Sequence, residues 1–312
     1  MEDSLRTVLL QVGVELEYFV IDGESTDGSQ AAIEQYADRL SWWVSEPDRG
    51  QADAINKGFL HARGEIVAWL NSDDLYLPGA IQTALAVLQK NPALGMVYGD
   101  AITIDETGRP LNRLFFGEWG LLDLLKFRVI CQPAVFMRRT ILEQAGYLDP
   151  SYHFMLDHHL WIRMARLAPI QHIPEVLAAA RHHPGAKNVR QAAGFSQEIQ
   201  RVLDWIKTQP DLARLLEPNR RSIEGGAYRL QARYYLDGDQ PARALRFYAR
   251  AIWYSPAYAL KHWHRMVYGL LSLAGAKRLA DRTLRPASAQ RKGRNAPATL
   301  VNIPDWPGLN LE

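Results

Sequence analysis

The sequence predicts an α/β domain with a mostly parallel sheet over residues 1–190, followed by an α-helical region over 191–285. Three observations predict it. Helical periodicity alternates with short apolar runs up to about residue 105, turn residues fall between those runs, and from Ala192 to about Arg285 only helical periodicity remains.

The elements follow in order. Ser4 to Gln11 reads as helix, Leu16 to Ile21 as strand, Gln30 to Tyr36 as helix and Leu40 to Val44 as strand. Ala52 to Ala62 is then helical, Glu65 to Leu70 a strand, Gly79 to Gln89 helical and Gly95 to Tyr98 a strand. Asp22-Gly23, Asp27-Gly28, Pro47 to Gly50, Pro78-Gly79 and Asn91-Pro92 supply the turns, and Glu106 to Pro110 reads as a hairpin loop. Helices are expected near Leu121 to Lys126, Thr140 to Ala145 and Asp157 to Leu167, with an apolar strand at Ala134 to Met137. In the helical region, breaks are expected at Pro210, Pro218, Gly225-Gly226, Gly238 and Pro256. Tyr228 to Pro256 has the small-residue spacing of one tetratricopeptide-like helical hairpin, and the tail from Pro286 to Glu312 reads as disordered.

The 312 residues, 47% of them hydrophobic, are enough for real cores. Net charge is only +2, yet from about residue 200 to 294 Lys and Arg exceed Asp and Glu by about a dozen. The Arg residues are spread over helices without a recognised nucleic-acid module, so no nucleic acid is expected. Solvated faces or peripheral contact with an acidic membrane surface remain. Met266 to Ala276 is the longest apolar segment, too short to span a bilayer, and is flanked by Arg265, Lys277 and Arg278. It reads as a core helix or a membrane-surface helix. The single cysteine, Cys131, excludes an internal disulfide and a Cys-rich zinc site. A cytoplasmic protein, peripheral at most to the inner membrane face, is expected.

Asn71-Ser72-Asp73-Asp74 follows the apolar run Glu65 to Leu70, which delivers two adjacent carboxylates to the carboxyl end of a buried strand. Open α/β sheets bind ligands there. Carboxylates held so close repel unless a cation intervenes, which suggests a divalent metal with a phosphate-rich ligand. A solvated Asp turn is the plain alternative. Asp22 ends the earlier strand at the same sheet edge and could accept from a uracil imide or a ribose hydroxyl, or simply form an Asx-turn. Neither Gly-x-Gly-x-x-Gly nor Gly-x-x-x-x-Gly-Lys-Ser/Thr follows a strand, so phosphate charge must be met by other means.

Glu17 to Ser29, Glu46 to Gly58 and Gly64 to Asp74, in that order, resemble the donor-site motifs of family 2 glycosyltransferases, which have the GT-A fold. The resemblance covers roughly residues 1–190. It implies inverting transfer of a sugar from a nucleotide-diphosphate sugar, UDP-sugar favoured, to a hydroxyl of a glycan or lipid-linked acceptor, with Mn2+ or Mg2+. Asp22 then corresponds to the nucleobase contact, and Asp53 lies in the segment holding the nucleoside. Asp73 and Asp74 occupy the ribose and metal region, Asn71 standing where many relatives have Asp. Asp157, in Leu156 to Trp161, corresponds to the general base. In the closing segment, His183 corresponds to a third metal ligand and Lys187 to a diphosphate contact, while Gln132-Pro133 lies toward the acceptor.

Relatives begin with a strand and a loop that cups the nucleobase, whereas this chain opens within the following helix. The resemblance therefore also implies a sheet without that strand. A catalytically impaired relative acting as a binding or scaffold protein is the competing reading. Asp157-His158-His159 has the letters of a phosphoesterase motif, but it leads into the amphipathic run Leu160 to Arg163.

Overall fold

The computed structural model describes residues 1–182 and 191–279. They divide into two compact units. The first comprises 1–121 and 130–182, and the described part of the second comprises 122–129 and 191–279.

In the first unit, helix α1 (Glu2–Leu9) precedes strand β1 (Phe19–Asp22), α2 (Ser29–Glu34), β2 (Trp42–Ser45) and α3 (Gln51–His61). The short strands β3 (Ile66–Val67) and β4 (Leu75–Tyr76) follow, then α4 (Ala80–Lys90) and the long β5 (Met96–Ile104). The hairpin through Asp105 leads to β6 (Pro110–Leu114), and β7 (Val135–Arg138), α6 (Arg139–Ala145), α7 (Leu156–Leu167) and β8 (Ile170–Arg181) complete its elements, while α5 (Leu121–Leu125), between β6 and β7 in the chain, belongs from Leu122 onward to the second unit.

β1 and β2 pair in parallel, with Asp22 beside Ser45, in a sheet of their own. The other six strands form a mixed sheet in the order β3-β7-β5-β8-β4, with β6 also paired to β5. Only β5 and β8 are parallel in it; the other four pairings are antiparallel. This corrects the expectation of a mostly parallel sheet. Alternation along the chain places elements in layers, but the hairpin after β5 reverses the chain, and β7 enters beside β5 in the opposite sense.

β8 has no counterpart among the expected elements. Pro174 and Glu175 interrupt its apolar pattern, and the ladder absorbs them in a bulge: Gly99 pairs with Ile173 while Asp100 pairs with Val176. A Cβ on Gly99 would lie 2.7 Å from the Glu175 carbonyl oxygen and 2.4 Å from Leu177 Cγ, so the bulge needs glycine there. β5 is buried along almost its whole length, and Val97, Ala101, Phe136, Leu177 and Ala178 pack with Ala84 and Leu88 of α4.

The second unit is built on α8 (Ala192–Thr208), α9 (Pro210–Asp237), α10 (Pro241–Tyr254), α11 (Pro256–Ala259) and α12 (Trp263–Leu273). α9 runs through Pro218 and Gly225-Gly226, contrary to the breaks expected there. Asn219 Nδ2 donates to the Leu215 carbonyl beside the proline. Gly226 lets α9 approach the chain at Lys126, where an added Cβ would lie 2.0 Å from the carbonyl oxygen. Buried Arg229 donates to the Phe127 carbonyl at 2.9 Å. α9 and α10 form the expected hairpin, with Tyr235 stacked on Phe247 and buried Ala232 and Ala244 allowing close approach.

Candidate active site

Asp22 is buried at the carboxyl end of β1, where the alternation of a short strand turns Val20 and Asp22 inward. Its Oδ2 accepts the Ser25 backbone N–H at 2.9 Å and the Ser45 hydroxyl at 2.6 Å. Gln30 Nε2 donates in turn to Ser45 Oγ at 2.6 Å. Burial opposes the charged form, but the bonds from Ser25 and Ser45 outweigh it and hold the carboxyl below its ordinary range. Parallel pairing brings Ser45 to Asp22, a signal present in the sequence as two strands ending in polar residues.

Past the end of β3, Asn71 joins three chain segments. Its Oδ1 accepts from Gln51 of α3 at 2.8 Å, while its Nδ2 donates to Asp74 Oδ2 and to Gln132 Oε1, both at 3.0 Å. Gln132 Nε2 donates back to the Trp69 carbonyl at 2.8 Å. Asp74 is 6% exposed, and its Oδ1 accepts the backbone N–H of Arg181 at 3.0 Å. Burial, together with the charge of Asp73, pushes its carboxyl up to about 7, against the bonds from Asn71 and Arg181.

Arg181, at the end of β8, was given no role by sequence reasoning. Its Nε donates to the Asp73 carbonyl at 3.0 Å, its Nη1 to the Glu106 carbonyl at 2.9 Å, and its Nη2 pairs with Asp3 at 3.2 Å. It thus clamps the Asp73-Asp74 turn between the hairpin after β5 and the start of α1. Nothing local in the sequence signals this, because the partners lie about 75 to 178 residues away.

Asp157 is half-buried in the first turn of α7, and its Oδ1 accepts the His158 N–H at 2.6 Å. The helix N-terminus favours its negative charge. One contact places α7 near the turn after β3, and another ties α3 to the segment between α6 and α7. Trp161 packs on Trp69 with ring centroids 5.2 Å apart, and Asn56 of α3 exchanges two hydrogen bonds with the Leu148 backbone at 2.8 and 3.0 Å. Asp53 is directed to Arg49, its Oδ1 2.7 Å from Nη2, and the bond to Arg49 holds its carboxyl below the ordinary range. His183 and Lys187 lie outside the described residues.

Among the described residues no group of three or more His, Cys, Asp or Glu is gathered to hold a metal. Asp73 and Asp74 nonetheless fit a hard divalent cation. The repulsion and burial that raise Asp74 would be relieved by a positive ion, and Asp74's two bonds leave lone pairs on both oxygens. Such an ion would take its remaining oxygen ligands from a phosphate-bearing ligand and water.

Residues 1–146 match the model of glycosyl transferase family 2. The match spans slightly less than half of the chain, which over those residues is similar to this family. An uncharacterized glycosyltransferase of Rickettsia conorii is 26% identical over 61% of this chain, and one of Nostoc sp. is 29% identical over 62%. The matches span 33% of the Rickettsia relative and 64% of the Nostoc relative, so this chain matches only part of each. The fold is GT-A. S. aureus TarS in complex with UDP-GlcNAc superposes with a TM-score of 0.60 at 16% identity, covering 91% of this chain and 87% of that one. The mannosyltransferase PcManGT from Pyrobaculum calidifontis, in complex with GDP-Man and Mn2+, superposes with a TM-score of 0.56 at 20% identity over 88% and 82%.

Proposed function

We propose that this protein transfers a sugar, with inversion, from a nucleotide-diphosphate sugar to a hydroxyl of a glycan or lipid-linked acceptor. The observation that carries the reading is the buried, proton-retaining Asp74 beside Asp73, clamped by Asn71 and Arg181 at the carboxyl end of β3. Such a carboxylate pair costs folding energy that a ligand-bound cation recovers. UDP-sugar is the favoured donor, in keeping with the UDP-GlcNAc complex of TarS, although PcManGT holds GDP-Man.

Asp22, kept ionised by Ser25 and Ser45, accepts a hydrogen bond from the nucleobase. Asp53 and its neighbours at the start of α3 border the nucleoside, and Asp73 meets the ribose. Asp73 and Asp74 would hold the cation, which supplies Lewis-acid neutralisation of the diphosphate. Asp157 takes the proton of the acceptor hydroxyl as its oxygen bonds to the anomeric carbon, and the nucleoside diphosphate leaves from the opposite face. Outside the described residues, His183 is assigned to the metal and Lys187 to the diphosphate.

A scaffold role is the second reading, favoured by one observation: Asp22 sits on a two-stranded sheet with no ladder to the sheet that leads to Asp73. Calorimetry with UDP and Mn2+, followed by transfer assays, separates the two. The transferase reading expects metal-dependent binding that Asp157→Asn preserves while turnover falls at least about 100-fold. Full turnover by Asp157→Asn overturns the base assignment, and no binding of UDP or GDP with Mn2+ favours the scaffold.

A further inference from the structure

In the second unit, α12 packs against its neighbours along one side and leaves apolar residues exposed beside that contact. Its inner side places Gly269 against Leu236 of α9 and Leu245 of α10, with Met266 and Tyr268 packed on the core around Tyr235 and Tyr248. Its outer side carries Trp263, Leu270 and Leu273, each more than half exposed. Spacings of seven and three residues set these three on one helical face. Leu260, just before the helix, is also more than half exposed. Large apolar side chains left exposed together beside a packed seam mark a surface that meets a second apolar phase.

The charge around this face selects the phase. Residues 240–279 contain seven Lys or Arg and no Asp or Glu. Lys261 and Arg278 are exposed on either side of α12, and Arg243, Arg246 and Arg250 are exposed on α10, where their spacing shares a face with the exposed Trp253. Arg265 and Lys277 pair with Asp237 and Asp239. Exposed Trp and Leu flanked by the exposed Lys261, Arg278 and the Arg residues of α10 match the apolar-polar boundary of an anionic bilayer, where an indole ring sits at headgroup depth and Lys and Arg meet lipid phosphate. No helix among the described residues is long and apolar enough to cross a membrane. The chemistry is that of lying on a surface.

We propose that the outer face of α12, with Lys261 and Arg278 beside it, docks the protein onto an anionic lipid surface. The proposal is independent of the donor-site assignment, since it uses none of those residues. α12 lies parallel to the membrane with Trp263, Leu270 and Leu273 inserted.

The test is flotation of the full chain with vesicles of phosphatidylcholine alone or with about one third phosphatidylglycerol, a composition giving a strongly negative surface. Binding is expected to the anionic vesicles only, and to weaken as salt shortens the screening length. Lys261→Gln with Arg278→Gln should weaken it about 25-fold, roughly fivefold for each charge. Trp263→Ser with Leu270→Ser should abolish it while leaving helical circular dichroism and metal-dependent UDP binding as in the parent. The proposal is overturned by equal binding to neutral vesicles, by binding insensitive to the Trp263 and Leu270 changes, or by no vesicle binding. A concentration-dependent dimer that the same two changes dissolve, without vesicle binding, would assign the face to a second copy instead.

Discussion

Asp74 offers the sharpest test, because its environment gives a stability change with a sign that chemical intuition would not choose. The carboxyl titrates near 7 in the fold against an ordinary value of 3.8. The native state therefore holds a proton that the unfolded chain has released between about pH 4 and pH 7, and stability from this group falls as pH rises through that window. Above pH 7 the full cost applies, about 4 kcal/mol for a shift of about three units at 1.36 kcal/mol each. Asn at this position removes the charge and keeps an oxygen for the Arg181 N–H, but its amide group forfeits the bond that Asn71 Nδ2 donates to Asp74, a pH-independent cost of about 1 kcal/mol. Chemical denaturation in the presence of a chelator, run from pH 5 to pH 8.5, should show the stability difference between Asp74→Asn and the parent shifting by about 2.7 kcal/mol in the variant's favour, because the unfolded carboxyl is already ionised at pH 5 and part of the cost is present there. Adding Mn2+ and UDP should restore the parent and leave the variant unchanged. Parallel curves for the two proteins, with no divergence between pH 5 and 8.5, would refute the reasoning about burial and Asp73.

The remaining predictions concern Asp22 and the helical unit. Ser45→Ala removes the hydroxyl 2.6 Å from Asp22 and should cost about 1.5 to 3 kcal/mol at pH 7, the range for a bond to a charged group. Because Asp22 is held below its ordinary value, this contribution is complete above the unfolded pKa and is lost as pH falls through the folded one. Urea titrations of parent and variant should therefore converge in acid. Gly226→Ala would add about 1 kcal/mol of helix propensity to α9, but the new Cβ would meet the Lys126 carbonyl at 2.0 Å. Steric cost wins, and thermal unfolding should show destabilisation of about 3 kcal/mol, at the upper end for overpacking. A variant with a raised Tm would refute this.

Much of the first unit was legible because its signals are local. Asp22, Asp73 and Asp157 each sit where an apolar run or a helix begins or ends, and hydrophobic periodicity marks such points. β8 was illegible for a physical reason: Pro174 and Glu175 break its alternation, and the bulge that absorbs them depends on Gly99, 75 residues earlier. Strand direction was misread because it is set by pairing, which periodicity does not carry. α9 was expected to break at Gly225-Gly226 because propensity is a weak prior, and the tight approach to Lys126 overrides it. Arg181, which binds the Asp73-Asp74 turn, and Gln51, which binds Asn71, escaped notice because those partners lie 108 and 20 residues away in the chain.

Helix α1 ties together two sheets that share no ladder among the described residues. Its Leu5 is buried with Val20 and Ile33 beside the β1–β2 pair, and one turn later Val8 is buried with Tyr76, Ala80 and Phe136 of the larger sheet. Polar groups on the same helix bind the turn that carries the carboxylates. Ser4 Oγ donates to the Ser72 carbonyl at 2.7 Å, Thr7 Oγ1 accepts the Tyr76 N–H at 3.3 Å, and Asp3 pairs with Arg181. Gln11 donates to the Leu77 carbonyl at 3.0 Å and accepts from Ile81 N–H at 3.3 Å. A backbone ladder would fix Asp22 relative to Asp73 by geometry alone, whereas here the spacing depends on side-chain packing and a handful of bonds, each worth about 1 kcal/mol. Asp22 and the Asp73-Asp74 turn are therefore joined through α1. A donor that spans both would stabilise that junction by mass action, most strongly where the ladder is absent.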